Sequence, residues 1–587
     1  MPAIITSKFR FHNAEQFKES FSEAAATNYY LFIGRPGEFA SGTTGGTDAA
    51  PPTPNDNRTQ ESQHWDDMLA AKRITSTGVA HAIPRRDLDT SGNTTYDMYK
   101  PNYATGNTAT SGATNLFDST FYFVTSAYRV YKVLDNNGGT NYAAGAEPTF
   151  EGDVPQAAGG YTLKYMYTLS TTDIQNFLTP DFMPVPTAAE SGVALADGRL
   201  SIILITERGT ALAGGSTWNI TSDRSIVNVP IRGDGTGGLC TVVIGESDGP
   251  TNTAGKVKSI SITSTNTGYT QASILPADII EQHNIQFSED LTFSGTQPAF
   301  EVIIPPDGGH GSNPAKELGG HFIMMDTKLQ TTESFDFSVV NDFRQVGVVR
   351  NPYSNGTTSN FTNSTARQTF AIKLASNSGE FKVDGKIYQS HTAQTVSAVA
   401  VSGSTITLTT GTTPHQLAVG QMIDVSGGSF DGSNGTGHEG THHITAVPST
   451  TTFSYAVTSS RAPTGNHSGT TAYTTFQPQG TVVEWDSTNK ILFYVQTSYD
   501  NQGTDATYKL RSPFSGNSQI TGEAASGTAT GTPDTSYSQT LNNTVFTSGY
   551  SNPEMQPNSG DIIYIENRKP ISRASDQTED IKLIVEF

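Results

Sequence analysis

The sequence predicts a multidomain all-β protein of antiparallel sandwich and barrel modules, with two or three short helices near the N-terminus. Three observations carry this expectation. Only 15% of the 587 residues are charged, while Gly, Ser, Thr and Asn abound, a mix for short strands and many turns. Aromatic residues make up 9% of the chain and fall in alternating runs, which separates it from a disordered polar chain. The last residues place Ile581, Leu583, Val585 and Phe587 on one side and Lys582, Ile584 and Glu586 on the other, the period-2 pattern of a half-buried strand. An apolar pattern carried to the final position implies a terminus docked in a sheet. Length alone allows roughly three to five domains.

In chain order, Asn13 is expected to cap a first helix, with Gln16 in the capping-box position and Phe17 and Phe21 on one face. Tyr29-Tyr-Leu-Phe-Ile33 reads as a strand closed by Gly34-Arg35-Pro36, and residues 40–57 as an exposed Gly/Thr/Pro-rich loop. A second helix is expected from Gln60 to Lys72, with Trp65, Met68 and Leu69 on one side, followed by an extended run from Ile74 to Ile83. From about 90 to 315 the pattern is strand and turn, with clear strands at 120–124, 128–134, 161–168, 200–205 and 259–263. Turn chemistry separates them at 136–139, 158–160 and 234–238. Further on, residues 381–389, 480–485 and 490–496 read as pieces of one small barrel. Residues 393–475 carry a complete strand pattern of their own, as a module inserted into a hairpin does. A Thr/Ser/Asn-rich stretch at 522–558 leads to the final strands.

The net charge of −20, from 35 basic and 55 acidic side chains, argues against a nucleic-acid or anionic-membrane surface. No apolar run reaches the roughly 18 residues of a membrane span, and residues 1–10 lack a secretory apolar core. A soluble product of cytoplasmic synthesis is expected. A single cysteine, Cys240, leaves no internal disulfide and no multi-Cys zinc site; within Leu239-Cys-Thr-Val-Val-Ile244 it reads as a buried small hydrophobe.

Three motifs invite chemistry. His438-Glu-Gly-Thr-His442 matches H-E-x-x-H, but zinc proteases need both histidines one helical turn apart, and the surrounding glycines, with His443 opening a strand, favour a turn. Gly233-Asp-Gly-Thr-Gly-Gly238 matches G-x-G-x-x-G, yet a dinucleotide site needs a helix next, and a strand follows. Arg232-Gly-Asp234 carries little weight at three letters. The Gly308–Gly319 loop, with His310 and Glu317, reads as a hinge or domain-boundary connection rather than a catalytic site. No carboxylate pair can be fixed as a glycosidase site. The reading contains no catalytic residue, no cofactor and no metal ligand.

Six blocks carry a resemblance. They are Ile5-Thr-Ser-Lys-Phe-Arg10, Phe32-Ile-Gly-Arg-Pro36, Ile83-Pro-Arg-Arg-Asp87, Gly160-Tyr-Thr-Leu-Lys-Tyr-Met-Tyr167, Asp342-Phe-Arg-Gln-Val-Gly-Val-Val-Arg-Asn-Pro352 and residues 560–587. In this order they resemble the β-rich dimeric baseplate wedge subunit of T-even-type contractile-tailed phages. The resemblance implies a first domain built from both ends of the chain with a second inserted. Here that gives 1–90, 316–370 and 556–587 for the first and 91–315 for the second, with 371–555 as an additional β region nesting a module at about 393–475. It also implies a homodimer among other wedge proteins, in the virion tail baseplate, that transmits the rearrangement starting sheath contraction.

Within the resembling core, Lys8, Arg10, Arg35, Arg85, Arg86, Arg344, Arg568 and Arg573 stand out against the acidic background. Arginine suits desolvated interfaces because its planar fork engages carboxylates bidentately. Arg85, Arg86, Arg344 and Arg568 are the candidate subunit-interface residues, against the plainer reading that each pairs within its own domain. The expected function is a non-enzymatic baseplate subunit. The alternatives are a host-recognition or carbohydrate-binding adhesin using Tyr388, Trp485, Phe493 and Tyr494, and an enzyme, either a zinc protease or a glycan hydrolase.

Overall fold

The computed structural model describes residues 5–23, 27–39, 46–210, 212–213, 221–246, 253–290, 292–330, 337–389, 393–412, 414–415, 417, 419–420, 422–475, 478–496, 514–574 and 577–587. The protein is mostly strand, as the composition implies. The chain divides into two compact units. Unit 1 comprises Met1–Ser22, Ser76–Asp326 and Lys582–Phe587; unit 2 comprises Glu23–Thr75 and Thr327–Ile581.

Unit 1 has a tyrosine-rich core. Its antiparallel sheet runs Tyr122–Val124, Arg129–Asp135, Tyr161–Thr168, Gln156–Ala158 in spatial order. Tyr122, Tyr131, Tyr161 and Tyr167 are buried, and each hydroxyl finds a backbone carbonyl: Pro84, Phe150, Thr140 and Pro184 at 2.8, 2.6, 2.5 and 2.9 Å. These four hydroxyls are satisfied inside the core; that of Tyr142, in the same core, has no partner among the described residues. A second core lies where the strands Arg224–Pro230, Leu239–Ile244 and Val257–Ile262 meet the helix Pro276–Phe287 around Ile226, Val242 and Ile279. Cys240 is buried there, as expected, and burial pushes its thiol up to about 12.

The terminal strand Thr578–Glu586 lies in a sheet ordered Thr578–Glu586, Phe322–Gln330, Val79–Pro84, Phe182–Pro184. Phe587 packs 5.3 Å from Phe17, and the Arg10 side chain hydrogen-bonds the Phe587 carbonyl and pairs with Glu586. The apolar end of the chain is docked.

Unit 2 is built on a five-stranded antiparallel sheet, in order Thr365–Arg367, Met68–Arg73, Tyr29–Gly34, Phe343–Arg350, Asp561–Ile571. Beside it in sequence, six strands close a barrel: Ile491–Val495, Gln479–Asp486, Lys386–Gln389, Ile520–Glu523, Thr528–Pro533 and Phe370–Ser378. The last pairs back to the first through Phe370↔Tyr494 and Lys373↔Ile491. Tyr388 pairs with Gln479, so the segment between them leaves and re-enters at adjacent positions. That segment forms its own seven-stranded sheet around Ile406, Ile423, Phe453 and Tyr455.

Both N-terminal helices differ from the periodicity reading. The first spans Ser7–Glu19 and is capped by Thr6, whose hydroxyl accepts from Phe9 N at 3.2 Å, so Asn13 lies inside it. Phe11 decides this: it is buried and stacked 5.2 Å from His81. Phe17 and Phe21 do meet edge to face at 5.3 Å. The second helix, Arg58–Asp67, stops where the strand Met68–Arg73 begins. Met68 to Ala71 are all buried, and a continuous apolar run does not distinguish a helix face from a central strand. Three more helices, Thr171–Phe177, Pro276–Phe287 and Pro314–Leu318, interrupt the region read as strand and turn. Pro276 at the first helical position and Asp278 in the first turn were the legible signal for the longest of these.

Two buried histidines make the fold acid-sensitive. His81, whose Nδ1 lies 2.8 Å from the Gly320 carbonyl, is pushed down to about 4 by burial. Burial, with Arg35 assisting, lowers His64 to about 4 as well. The unfolded chain takes up these protons near pH 6.5 and the native chain does not. Stability is therefore fully present above pH 6.5 and is lost as pH falls toward about 4. The urea midpoint should fall between pH 7.5 and 5, and His81→Gln, which keeps a donor without titrating, should show a smaller fall. An equal fall in the variant would count against His81.

Candidate functional site

The four candidate interface arginines sit in different settings. Arg85 and Arg86 follow the strand Val79–Pro84. Arg85 bonds Asp87 at 2.9 Å and the Thr179 carbonyl at 3.2 Å. Arg86 reaches the Ser119 and Phe117 carbonyls and lies over the Tyr122 ring at 4.5 Å, holding a loop to the sheet end. Arg344 is buried in unit 2, where it bonds Asp48 at 3.0 Å and the Pro36 carbonyl at 2.5 Å. Its fork is engaged inside its own unit. Arg568, whose side chain is 51% exposed, pairs with Glu566 at 3.1 Å on the outermost strand of the five-stranded sheet. It offers the most accessible charge of the four.

The Gly308–Gly319 loop is interior to unit 1, not at a unit boundary, which falls at Asp326. It carries a buried charge network. Glu317, at the short helix Pro314–Leu318, accepts from Gly311 N at 2.8 Å and Asn313 N at 3.2 Å, and pairs with Lys132, both side chains being almost wholly buried. Burial pulls Lys132 below the ordinary lysine range against the opposing pull of Glu317. Lys132 also lies 4.8 Å over the Tyr99 ring, and Tyr99 meets His310 edge to face at 5.1 Å. His310 is buried and held well below the usual imidazole range, by burial first and then by Lys132 and Lys164. Lys164 donates to the Tyr165, Val193 and Gly152 carbonyls at 2.7, 2.8 and 3.1 Å, and burial pulls it down to about 8. A network this enclosed gives a substrate no access; it plugs the loop against the sheet. The legible hint was a lone lysine in each of two apolar strands, at 132 and 164. The partners lay too far along the chain to be named.

The H-E-x-x-H segment runs from a turn at His438 into the strand Gly440–Ser449, which begins before the reading placed it and already holds His442. His438 Nε2 is 3.0 Å from the Gly427 carbonyl, and His442 Nε2 is 3.1 Å from the carbonyls of His438 and Glu439. Both imidazoles serve the turn's own backbone. Among the described residues, no group of three or more His, Cys, Asp or Glu is placed to hold a metal ion. Gly233–Gly238 leads into the strand Leu239–Ile244, not a helix. In the adjoining Arg-Gly-Asp, Arg232 is bound bidentately to Asp278 and Asp234 accepts from Thr270.

The four aromatics do not form one face. Tyr494 is core, between Phe370 and Phe514 at 5.4 and 4.9 Å, and Trp485 packs on Phe381 at 5.2 Å. Phe493 packs with Ile491 and Phe546 in a separate cluster, and Tyr388 alone is exposed.

The family described as Bacteriophage T4, Gp8 matches residues 3–146 and 534–587, about a third of the chain. A structural role in a phage baseplate is supported. No curated protein matches the chain. The match contains four of the six resembling blocks; Gly160–Tyr167 and Asp342–Pro352 lie outside it. It contains three strands of the unit 2 sheet, Tyr29–Gly34, Met68–Arg73 and Asp561–Ile571, contributed by opposite ends of the sequence. Arg85, Arg86 and Arg568 fall within it and Arg344 outside. The barrel strands and the inserted seven-stranded sheet also lie outside.

Proposed function

We propose that the chain is a non-enzymatic subunit of the phage baseplate wedge, a homodimer that joins other wedge proteins and takes part in the rearrangement triggering sheath contraction. The observation that carries this is the two-part family match, whose segments supply three strands of one five-stranded sheet from distant parts of the chain. The enclosed charges of unit 1 and the backbone-bound histidines of unit 2 agree with a mechanical role. Purified tails should contain the chain at a fixed stoichiometry to the other wedge proteins, and particles lacking it should fail to complete a baseplate. Absence from mature particles, or normal baseplates without it, would overturn the reading.

A further inference from the structure

Consecutive side chains of a strand face opposite sides. In the barrel strand Gln479–Asp486, Val482 and Trp485 pack on the barrel core. Val483 and Glu484 both turn away from it and line one cavity, together with Ile33 and Leu69 of the five-stranded sheet. A bulge accounts for two neighbours on one side, because the ladder to Ile491–Val495 shifts register between Val482 and Glu484. Phe493, paired with Glu484 in that ladder, lines the same cavity, while Leu492 and Tyr494 face the barrel core. The bulge aims a carboxylate into the space between sheet and barrel.

The cavity is small, at about 20 Å³, room for one or two water-sized groups. Its polar lining is short of donors. Asn341, 4% exposed, gives its Nδ2 to Asp384 at 2.7 Å and leaves Oδ1 without a partner. Glu484 takes a hydrogen bond from Ser338, and among the described residues no basic side chain pairs with it. Burial holds its carboxyl above the usual range, against the opposing bond from Ser338. Arg367 also lines the space, but its fork is engaged by the Thr369 and Asn552 carbonyls and by Ser551 Oγ.

We propose that this cavity binds a primary ammonium group, carried by a small alkylamine or by the tip of a lysine side chain. Such a head has three N–H donors, which answer the Glu484 carboxylate, the Asn341 amide oxygen and a hydroxyl of Ser338 or Thr369. Its charge compensates a carboxylate that is otherwise buried alone. An ordered water would bring two donors and no charge. Ile33, Leu69 and Phe493 give apolar walls to the first methylenes of the stem. Ser338, Glu484 and Phe493 are each partly exposed, so the cavity has a mouth. The site goes beyond the baseplate reading and does not depend on it.

Saturation-transfer NMR on the full-length chain near neutral pH, with n-butylammonium as the probe, tests this. A Kd on the order of 1 mM is expected for a head held by hydrogen bonds with little stem buried. Glu484→Gln should weaken binding on the order of tenfold, because a charge-assisted bond is lost. Ser338→Ala, at the mouth, should weaken it about threefold and supplies a second reading if Glu484→Gln does not fold. A tripeptide with a central lysine distinguishes the two sources. Displacement of n-butylammonium by it supports a lysine side chain from a partner protein; no displacement supports a small free amine. Displacement by tetramethylammonium, which has the charge but no N–H, would overturn the three-donor fit. Failure of n-butylammonium to bind, or equal binding by the parent and both variants, would overturn the proposal and leave a cavity that holds water only.

Discussion

Glu317→Ala should cost about 3–5 kcal/mol of stability, the cost of leaving one member of a buried ion pair uncompensated. Lys132 and Glu317 have side chains 0% and 1% exposed, so no water replaces the lost carboxylate. The substitution also strips Gly311 N and Asn313 N of their acceptor, and buried backbone donors without partners carry their own penalty. Lys132→Met should be less severe, because Glu317 keeps its backbone donors. The double variant Lys132→Met/Glu317→Gln should recover much of the single-variant loss, since a neutral pair removes the charge from the core. Calorimetric unfolding of the four proteins checks this. Glu317→Ala within about 0.5 kcal/mol of the parent would mean the pair contributes nothing, the scale of an ordinary surface change.

Gly347→Val should be nearly as damaging, at about 3 kcal/mol, the upper part of the usual overpacking range. Gly347 lies in the strand Phe343–Arg350 directly opposite Phe32. A Cβ there would sit 2.4 Å from Phe32 Cζ and 2.7 Å from the Tyr564 carbonyl oxygen. The Phe32 ring, wholly buried, occupies the space the glycine leaves open, and the carbonyl belongs to the backbone of the next strand and cannot yield. Phe32→Leu in the Gly347→Val background should recover part of the loss, and the non-additivity measures the contact. A urea midpoint unchanged from the parent would show that the sheet relaxes around the extra atoms.

What was legible in the sequence was local and periodic. The strands at 29–33, 128–134 and 161–168 alternate or run apolar between turn residues, and the structure has strands at Tyr29–Gly34, Arg129–Asp135 and Tyr161–Thr168. The barrel pieces at 381–389, 480–485 and 490–496 showed in the same way, and those strands pair with one another. The context of the H-E-x-x-H and G-x-G-x-x-G matches is equally legible, because glycine content and the next strand are themselves local facts.

Where local preference and tertiary context diverged, context prevailed. Met68 to Ala71 fits a helix face equally well, and only a place between Tyr29–Gly34 and Thr365–Arg367 made it a strand. Asn13 is an able cap, but the burial of Phe11 started the helix two turns earlier.

The candidate interface arginines show the same division. Sequence alone places Arg344 in one of the resembling blocks, as a basic residue against an acidic background. That its fork is filled by Asp48, 296 residues away, follows from how the sheet is assembled. Lys132 likewise meets Glu317 across 185 residues. Composition, periodicity and turn chemistry, which depend on near neighbours, determined an all-β protein and most of its strands. Which charges are buried in pairs depends on contacts between residues hundreds of positions apart, and only the tertiary structure decided that.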